Sequence, residues 1–305
     1  MSNHHIRRAT ADDYQAVMDI GDVLFGLDYL QQYYHTFIED PYARSYVYLV
    51  GEEIVGFCSP HIIDDGTTFL MRGSRVKDEF RGQGIYGRLL KHVYEDFKDT
   101  DTIKRDVMTT NNVNYEQKGG LKNTHTFISK KEILVYGTKL TDADLPMISP
   151  DDRPQTFAAA DMRSLLDCSE SCERLFPDGK MTVAWLPLGL LPANLKYMVP
   201  SNSLALQTRA TDDTHVSLLT VGSALKCQKG LRYMCDVFGR DATPLRHHII
   251  SHLQNASSLT EGFVVFEIIL ESSLRDIADH IMKDAGIPSL DVPRKAMVLL
   301  EKSFG

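Results

Sequence analysis

The feature that most constrains the fold is a glycine-rich turn, RGQGIYG at residues 81–87, between a strand-like run that ends at Val76 and a helical run. Apolar residues recur every four positions from Ile85, the spacing of one face of a helix. The first N–H groups of a helix have no internal partner, and the helix dipole favours an anion beside them. Glycines let the backbone approach a bulky phosphate without a Cβ in the way. The turn therefore predicts a pyrophosphate cradle to which Arg81 and Arg88 add charge, or else a turn that binds nothing.

The place of this turn in the chain excludes two common nucleotide-binding folds. No Lys-Ser/Thr pair follows the glycines, as a phosphate loop of the NTPase kind requires. A Rossmann turn follows the first strand of a parallel βαβ unit. Here the turn follows the third of three strand-like runs, SYVYLV, IVGFCSPHII and TTFLMRGSRV, which the turn signals GEE and DDG separate. This spacing indicates an antiparallel meander.

The chain of 305 residues suggests about two domains. Residues 5–136 predict the order β-α-α-β-β-β-α-β-α-β, and the tail of the chain predicts β-β-α-β-α-β. The segment TDADLPMISPDDRP between them is rich in Asp and Pro, which is typical of a linker. We therefore expect an α/β fold of the α+β kind, with a mixed, mainly antiparallel twisted sheet flanked by helices, followed by a related second α/β domain. The expected limits are residues 1–140 and 161–305, with a linker at 141–160.

Motif and element order together resemble a known superfamily. VKDEFRGQGIYGRLL resembles motif A of the GCN5-related N-acetyltransferases (GNAT), whose pattern is Arg/Gln-x-x-Gly-x-Gly/Ala, and the order of elements across residues 5–136 is similar to that fold. Tyr86 stands where Gly or Ala is usual, and Gly87 follows one position late. We expect this departure to crowd or reshape the end of the pyrophosphate site.

A narrower resemblance bears on the reaction. GLDYLQQYYHTFIEDP and GSRVKDEFRGQGIYGRLL are similar to histidine N-acetyltransferase and its relatives, which also carry a second C-terminal domain. This implies an acetyl-CoA-dependent enzyme that acetylates the α-amine of a free amino acid, with a histidine-like acceptor suspected, by direct attack in a ternary complex. Two alternatives stay open: acetyl transfer to a protein or peptide amine, and a non-catalytic relative that binds acyl-CoA as a sensor.

The resemblance also implies which residues hold acetyl-CoA. The cofactor would enter a gap beside the strand that ends at Val76, pair with the backbone there, and rest its pyrophosphate in the glycine turn. The implied cofactor-binding residues are Val76, Lys77, Arg81, Gly82, Gln83, Gly84, Ile85, Tyr86, Gly87, Arg88 and Asn111. Tyr115 in NYEQKGG is expected to protonate the leaving thiolate, the alternative being a tyrosine that only packs on the CoA arm.

The sequence defines the residues around the acceptor amine less clearly than those around acetyl-CoA. Many members of the superfamily have a glutamate base before motif A, where this chain has Arg72, and an arginine is not a base near neutral pH. Arg72 is expected to hold a substrate carboxylate by two parallel hydrogen bonds, or else to face solvent or pair with an aspartate. Tyr33 and His35 lie on the helix expected to wall the acceptor pocket, where packing or surface roles are the alternative. We expect Asp106 to be the base; His61, Glu116, His125 and an ordered water are the other candidates.

Composition narrows the classes of partner. The net charge of −8 argues against a nucleic-acid partner. The N-terminus MSNHHIRRAT lacks the apolar core of a signal peptide, and no window approaches the roughly 18 apolar residues of a membrane span. We expect a soluble cytoplasmic protein, monomeric or homodimeric, whose five cysteines form no disulfide framework and which needs no metal.

The second half lacks the phosphate signature. Its equivalent turn, DVFGRDATPLR, has one glycine and a proline at the start of the helix, and so offers fewer N–H groups. We expect this domain to bind no CoA and to pack on the first. His248 and His252, four apart on one helical face, are expected to be structural rather than metal ligands.

Overall fold

The computed structural model describes residues 3–21, 24–98, 100–117, 119–210 and 215–304. The chain forms two compact units: Met1–Val107 with Ser303–Gly305, called unit 1, and Met108–Lys302, called unit 2. The strand that precedes the expected linker belongs to unit 2. The expected domain limits at residues 140 and 160 stay predictions.

Unit 1 is a mixed, mainly antiparallel sheet with helices on both faces. Its elements are, in chain order, β1 (His4–Arg8), α1 (Tyr14–Met18), α2 (Leu30–Glu39), β2 (Tyr46–Val50), β3 (Glu53–Ile63), β4 (Thr68–Val76), α3 (Ile85–Phe97) and β5 (Arg105–Asn111), whose first three residues belong to this unit. The strands follow the order β1-β2-β3-β4-β5. The pairs from β1 to β4 are antiparallel and β5 is parallel to β4. The predicted meander and fold class are confirmed.

Alternation of side chains divides this sheet between the helices. Val47 faces α1 and α2, whereas Tyr46 and Tyr48 face α3, because neighbouring residues of a strand point to opposite faces. On α3 the apolar positions Leu89 and Val93 are fully buried. Burying side chains of this size stabilises the fold by about 2 kcal/mol each.

β4 is irregular where it approaches the glycine turn. Its register with β3 shifts between Phe57 and Ser59, and Gly73 opposite the shift has φ of 63°, a conformation that disfavours residues with a Cβ. The parallel pairing of β4 with β5 ends at Leu70. From there to Val76, β3 is the only strand that pairs with β4 in the described part of the chain. One edge of β4 is thus open over its last six residues.

Unit 2 contains a larger sheet and a separate hairpin. Its elements are α4 (Asn112–Gln117), α5 (Gly119–Thr124), β6 (Thr126–Lys139), β7 (Gln155–Thr156), α6 (Ala159–Leu166), α7 (Ser169–Leu175), β8 (Lys180–Val183), β9 (Leu186–Gly189), α8 (Leu195–Met198), β10 (Leu204–Arg209), β11 (Val216–Cys227), β12 (Gly230–Gly239), α9 (Leu245–Leu259), β13 (Phe263–Leu270), α10 (Arg275–Asp284) and β14 (Ala296–Ser303). The strand order is β14-β6-β13-β12-β11-β10-β7, with β8 and β9 as the hairpin. The predicted elements after residue 215 are found, whereas residues 155–209 contain short strands and helices that the sequence did not predict.

One face of the unit 2 sheet is covered by α9 and α10. Apolar residues of β6, β12 and β13 form a continuous core with these helices. Ile148, from the expected linker, is buried in the same core, so this segment packs on unit 2. His248 and His252 of α9 lie in this interior and share hydrogen bonds with Thr220, at 2.8 Å from each ring. Burial lowers the pKa of both imidazoles to about 3, so both are neutral at pH 7.

Candidate active site

The glycine turn presents a row of unbonded backbone donors. The N–H groups of residues 82–87 donate to no acceptor among the described residues, whereas the N–H of Arg81 donates to Asp78 and that of Arg88 donates to Gly84. These six groups lie at the N-terminus of α3, where the helix dipole adds positive potential. The arrangement is one that binds phosphate groups.

Glycines make this conformation accessible. Gly82 and Gly84 have φ of 78° and 73°, in the left-handed region that a side chain disfavours. A Cβ added at Gly82 or Gly87 would meet nothing within 4 Å. The space in front of the turn is therefore open at both positions.

Tyr86 points away from this space. Its hydroxyl is buried towards Ser74 and Cys58 of the sheet, and burial raises its pKa above the usual range. The ring therefore lies between α3 and the sheet, and the expected crowding of the pyrophosphate site does not occur through this side chain. Gln83 is exposed, and its side-chain amide donates to the Glu79 carbonyl at 3.2 Å.

Two arginines lie beside the turn and are anchored to the protein. Arg81 donates to the Val76 carbonyl at 3.1 Å and pairs with Asp78 at 2.7 Å. Arg88 donates to the Tyr48 hydroxyl at 2.7 Å. Both side chains are exposed, so their charge contributes to the potential at the turn although neither extends freely into solvent.

The end of β4 offers one outward backbone position. The N–H of Lys77 donates to the Val55 carbonyl at 2.8 Å, and successive residues of a strand direct their N–H groups to opposite edges. Val76 therefore directs its N–H to the open edge of β4. The N–H of Lys77 is already bonded within the sheet, and the expected pairing of the Val76 and Lys77 backbone with a ligand stays a prediction.

Arg72 lies on the face of the sheet covered by α2, among aromatic rings. Its guanidinium carbon is 4.4 Å from the centre of the Phe37 ring, 5.7 Å from that of Tyr29 and 6.0 Å from that of Tyr33. Such stacking holds a guanidinium in a fixed orientation. The structure thus brings Arg72 and Tyr33 together, as the sequence predicts.

His35 does not join this group. It is exposed on α2 and stacks on Tyr14 of α1, with ring centres 5.2 Å apart. Two positions along a helix from Tyr33, it is turned about 200° away, since each residue advances the helix by 100°. Its placement argues for the surface alternative.

Asp106 lies on the opposite face of the sheet from Arg72. It is 2% exposed and accepts a hydrogen bond from Tyr94 of α3 at 2.6 Å. A base must reach the proton that it removes. This placement disfavours the expected role of Asp106 as the base and explains its burial as part of the α3 packing.

His61 lies on the same face of the sheet as Arg72, and it was one of several alternative bases expected from the sequence. Its Nε2 is 3.0 Å from the Ser59 hydroxyl, its Nδ1 is 3.7 Å from Asp40, and its ring contacts Phe37 edge to face. Burial lowers the pKa of the imidazole to about 4, against an opposing contribution from Asp40. His61 is therefore neutral at pH 7.

Two predicted residues belong to unit 2. The side-chain carbonyl of Asn111 accepts from the Asn114 N–H at 2.8 Å, which caps α4. Tyr115 lies on α4, partly buried, with its ring 6.2 Å from that of Phe127 and 4.8 Å from the ammonium of Lys122. Their roles towards acetyl-CoA remain predictions.

Tyr29 and Asp28 were not predicted as site residues. The Tyr29 hydroxyl accepts from the N–H of Gly73 at 2.8 Å, and Asp28 makes a two-point ion pair with the buried Arg75. Together they fasten the start of α2 to the irregular part of β4. The sequence signal for this contact was weak, since it joins residues more than forty positions apart.

Neither a metal cluster nor a membrane-spanning helix occurs in the part of the chain that the structure describes. No cluster of three or more His, Cys, Asp or Glu side chains there is close enough to hold a metal ion. Nor does any described helix have the length and apolar character to cross a bilayer.

The comparisons with known proteins agree with the site. Residues 12–116 match the model of the Acetyltransferase (GNAT) family, and residues 150–271 match the model described as Histidine N-acetyltransferase, C-terminal. The predicted resemblance is confirmed by both matches. The second match begins inside the expected linker, and the two together leave residues 1–11, 117–149 and 272–305 unmatched.

Relatives of similar length are known. The histidine N-acetyltransferase of Oreochromis niloticus is 24% identical over 283 residues, which cover 87% of this chain and 83% of that protein. That of Scomber australasicus is 22% identical with the same coverage. Among solved structures, a GCN5-related N-acetyltransferase from Sphaerobacter thermophilus superposes with a TM-score of 0.57 at 14% identity, over 98% of this chain and 95% of that one. The last comparison shows the shared fold.

Proposed function

Because this chain belongs with the acetyl-CoA-dependent N-acetyltransferases of the GNAT family, we propose that it acetylates the α-amino group of a free amino acid, histidine or one like it. Acetyl would pass directly from acetyl-CoA to the amine while both are bound. The observation that carries the proposal is the row of six unbonded N–H groups at residues 82–87.

The pyrophosphate of CoA fits this row. Each phosphate oxygen can accept from more than one N–H, and hydrogen bonds to a charged acceptor contribute about 1.5–3 kcal/mol each. The potential of the α3 N-terminus and the charges of Arg81 and Arg88 act in the same direction. Acetyl-CoA would be held at this turn without a metal.

The open edge of β4 supports a position for the pantetheine arm of acetyl-CoA. Pantetheine carries two amides, and an amide chain can add to a strand edge as a further strand does. Val76 directs its N–H to that edge, and its carbonyl accepts from Arg81. Val76 would therefore bind the pantetheine next to the pyrophosphate.

Arg72 suits the carboxylate of a free amino acid. Its guanidinium is stacked on Phe37 beside Tyr29 and Tyr33. A guanidinium can hold a carboxylate by two parallel hydrogen bonds, which matches the role expected of Arg72 from the sequence. A residue inside a peptide lacks that carboxylate. The arrangement therefore favours a free amino acid over a peptide.

The reaction needs three proton or charge adjustments. The neutral amine attacks the thioester carbonyl, charge gathers on the carbonyl oxygen, and the thiolate leaves with the electron pair of the carbon–sulfur bond. The amine then loses a proton and the thiolate gains one. Tyr115 would supply the proton to the thiolate, as the family resemblance implies.

His61 is the side chain on the Arg72 face with a role in removing the amine proton. Its imidazole is neutral at pH 7 because burial lowers the pKa to about 4. Such a group holds a proton weakly but can pass one on through Ser59 or Asp40. We therefore assign it to a relay that includes water, in place of Asp106.

The test is release of CoA thiol from acetyl-CoA in the presence of each of the twenty amino acids, with matched amino acid amides and short peptides alongside. We expect turnover with one or a few free amino acids, histidine among them, and little with peptides. Turnover with peptides alone would replace the proposal with a peptide acetyltransferase. CoA binding without turnover on any amine would favour a sensor.

Arg72 provides a second test within the same assay. Arg72→Ala should raise KM for the amino acid about tenfold or more, since a two-point hydrogen bond to a charge is lost, and leave KM for acetyl-CoA within about twofold. The amide of the same amino acid lacks the carboxylate and should be affected much less. Equal losses for the acid and its amide would contradict the clamp.

A further inference from the structure

The face of the unit 2 sheet that α9 and α10 do not cover carries buried charges. Arg232 and Asp236 of β12 lie on it, as does Glu267 of β13, and all three are 2% exposed or less. Registers of the paired strands place Lys131 of β6 on the same face. Charged groups are costly to bury unless each has a partner.

Part of this cluster is satisfied internally. Glu267 accepts from Arg232 at 2.8 and 3.1 Å and also from the buried Arg294. The two guanidiniums hold the pKa of this carboxyl below its usual range despite burial. These three residues therefore form a structural ion cluster, although the buried Nε of Arg294 has no partner among the described residues.

Asp236 is not satisfied in the same way. One carboxylate oxygen accepts from the Ala184 N–H at 2.8 Å, while the other is buried and has no hydrogen-bond partner among the described residues. Burial raises the pKa of this carboxyl to about 7. An acceptor that is 1% exposed and half unused is costly to bury, and a ligand that donates to the unused oxygen would offset this cost.

Lys131 is the cation of this region that lacks an ion pair. Its ammonium lies 4.4 Å from the centre of the Phe238 ring, and no carboxylate of the described chain is within ion-pair distance. Asp236 and Asp178 are near enough to raise its pKa, although burial lowers it overall. The side chain of Lys131 is partly exposed, so solvent reaches this end of the cluster.

Trp185 adds an unused donor next to Asp236. Ala184 and Trp185 form the two-residue turn between β8 and β9, with φ of 48° and 70°, where Gly or Asn is usual. The indole N–H is buried without a partner among the described residues. The Trp185 carbonyl accepts from the Thr109 hydroxyl at 2.6 Å, and the Ala184 N–H fastens the turn to Asp236. Backbone strain of this kind persists where the surroundings or a function require it.

We propose that Asp236, Lys131 and Trp185 form a binding site for a free α-amino acid. The unused oxygen of Asp236 accepts from the ligand's ammonium, while Lys131 and the Trp185 indole donate to its carboxylate. A simple amine would leave both donors unused, and a simple carboxylate would bring no ammonium to the Asp236 oxygen. A small zwitterion with the two groups close together would satisfy all three.

The experiment uses the fluorescence of the full-length protein, because Trp185 is the only tryptophan of the chain. Each of the twenty free amino acids is titrated without acetyl-CoA, so the outcome does not depend on acetyl transfer. We expect at least one to change the emission saturably. The N-acetyl and decarboxylated forms of that amino acid should each bind about tenfold more weakly or worse, since each loses a charge-assisted contact.

Variants locate the response. Asp236→Asn and Lys131→Met should each weaken the amino acid by about tenfold or more. Glu261→Gln, which removes an exposed carboxylate of the same unit, should leave the affinity within about twofold. Circular dichroism of each variant checks that it is folded, and Lys131→Met carries the test if Asp236→Asn does not fold.

Two results would overturn the proposal. One is an emission that no free amino acid changes. The other is a saturable response of unchanged affinity in folded Asp236→Asn or Lys131→Met, or one that the N-acetyl form reproduces in full, because each of these means that Asp236 and Lys131 do not hold the ligand.

Discussion

The turns at residues 81–87 and 239–245 join a strand to a helix and then to a parallel strand, yet the first offers more unbonded backbone donors. At 81–87 six N–H groups have no acceptor among the described residues. At 239–245 the same holds for residues 240–242 alone, since the N–H of Thr243 donates to Asp241, that of Leu245 donates to Ala242, and Pro244 has none.

The strands beside the two turns also differ in how many of their residues are paired. β4 pairs with β5 at three positions, from Thr68 to Leu70, whereas β12 pairs with β13 at six, from Leu231 to Asp236. In unit 1 the strands leave an edge open beside the turn, and in unit 2 that edge is used by the sheet. The same order of strand, helix and parallel strand can therefore occur with or without a ligand site. The number of unbonded backbone N–H groups in the turn distinguishes the two cases.

The largest expected effect comes from filling the first turn. Gly84→Val places a branched side chain where φ is 73° and where the N–H groups converge, so CoA affinity should fall more than about 100-fold, or about 2.7 kcal/mol. Isothermal titration calorimetry with CoA measures it.

Gly286→Val is the matched control for this change. Gly286 has φ of 68° and lies after α10 in unit 2. A Cβ at Gly286 would meet nothing within 4 Å, and one at Gly84 would meet the end of the Arg88 side chain at 4.0 Å. Gly286→Val should cost similar stability, about 1–2 kcal/mol, and leave CoA affinity unchanged. A similar loss of CoA affinity in both variants would mean that strain rather than the cradle explains the result.

A smaller effect is expected from the arginines. Arg81→Ala should weaken CoA by about tenfold, through the loss of one charge beside the pyrophosphate, and this loss should shrink as salt rises. Arg240→Ala changes the residue that follows Gly239 in the second turn and should leave the affinity within about twofold. If Arg81→Ala binds CoA as the parent does, the pyrophosphate lies elsewhere.

The helix after the second turn, α9, should make the stability of the protein depend on pH. The pKa of both His248 and His252 of α9 is lowered to about 3, so each binds a proton in the unfolded chain below about pH 6.5 but in the folded chain only near pH 3. Each therefore contributes stability above pH 6.5 that is lost as pH falls towards 3. Asp236 acts in the opposite sense: with its pKa raised to about 7, its cost to stability is relieved as pH falls through 7.

His248→Gln isolates one of these contributions. Between pH 6 and 5 the variant's free energy of unfolding should fall less steeply than that of the parent, by about 1.4 kcal/mol per pH unit. Urea unfolding at several pH values measures the slopes. Parallel slopes would show that His248 is not held neutral in the interior.

The smallest effect is expected at the second turn itself. Asp241→Ala removes the acceptor of the Thr243 N–H and should cost about 0.5–1 kcal/mol of stability. Freeing one N–H should not create a phosphate site, because Pro244 offers none and the strands stay paired. Calorimetry should show one CoA per chain in parent and variant, and a stoichiometry of two would remove the contrast between the turns.

Local signals predicted much of the fold. The glycines, the fourfold spacing after Ile85 and the turn signals gave the meander and α3, because each depends on residues close in sequence. Residues 155–209 were missed because their strands and helices are short and lack a clear period.

The candidate site was predicted unevenly for the same reason. The cradle is local, so sequence located it, whereas the choice between Asp106 and His61 depends on which face of the sheet each occupies. The contact of Tyr29 with Gly73 spans distant residues and left no sequence signal. The unused atoms of Asp236 and Trp185 likewise become visible only when every hydrogen bond is assigned.

The most direct test of the difference between the turns is amide hydrogen exchange with and without saturating CoA. We expect amide exchange at residues 82–87 to slow about tenfold or more when CoA binds, because the pyrophosphate would occupy those N–H groups. Exchange at residues 239–245 should be unaffected. CoA that binds without slowing residues 82–87 would contradict this expectation.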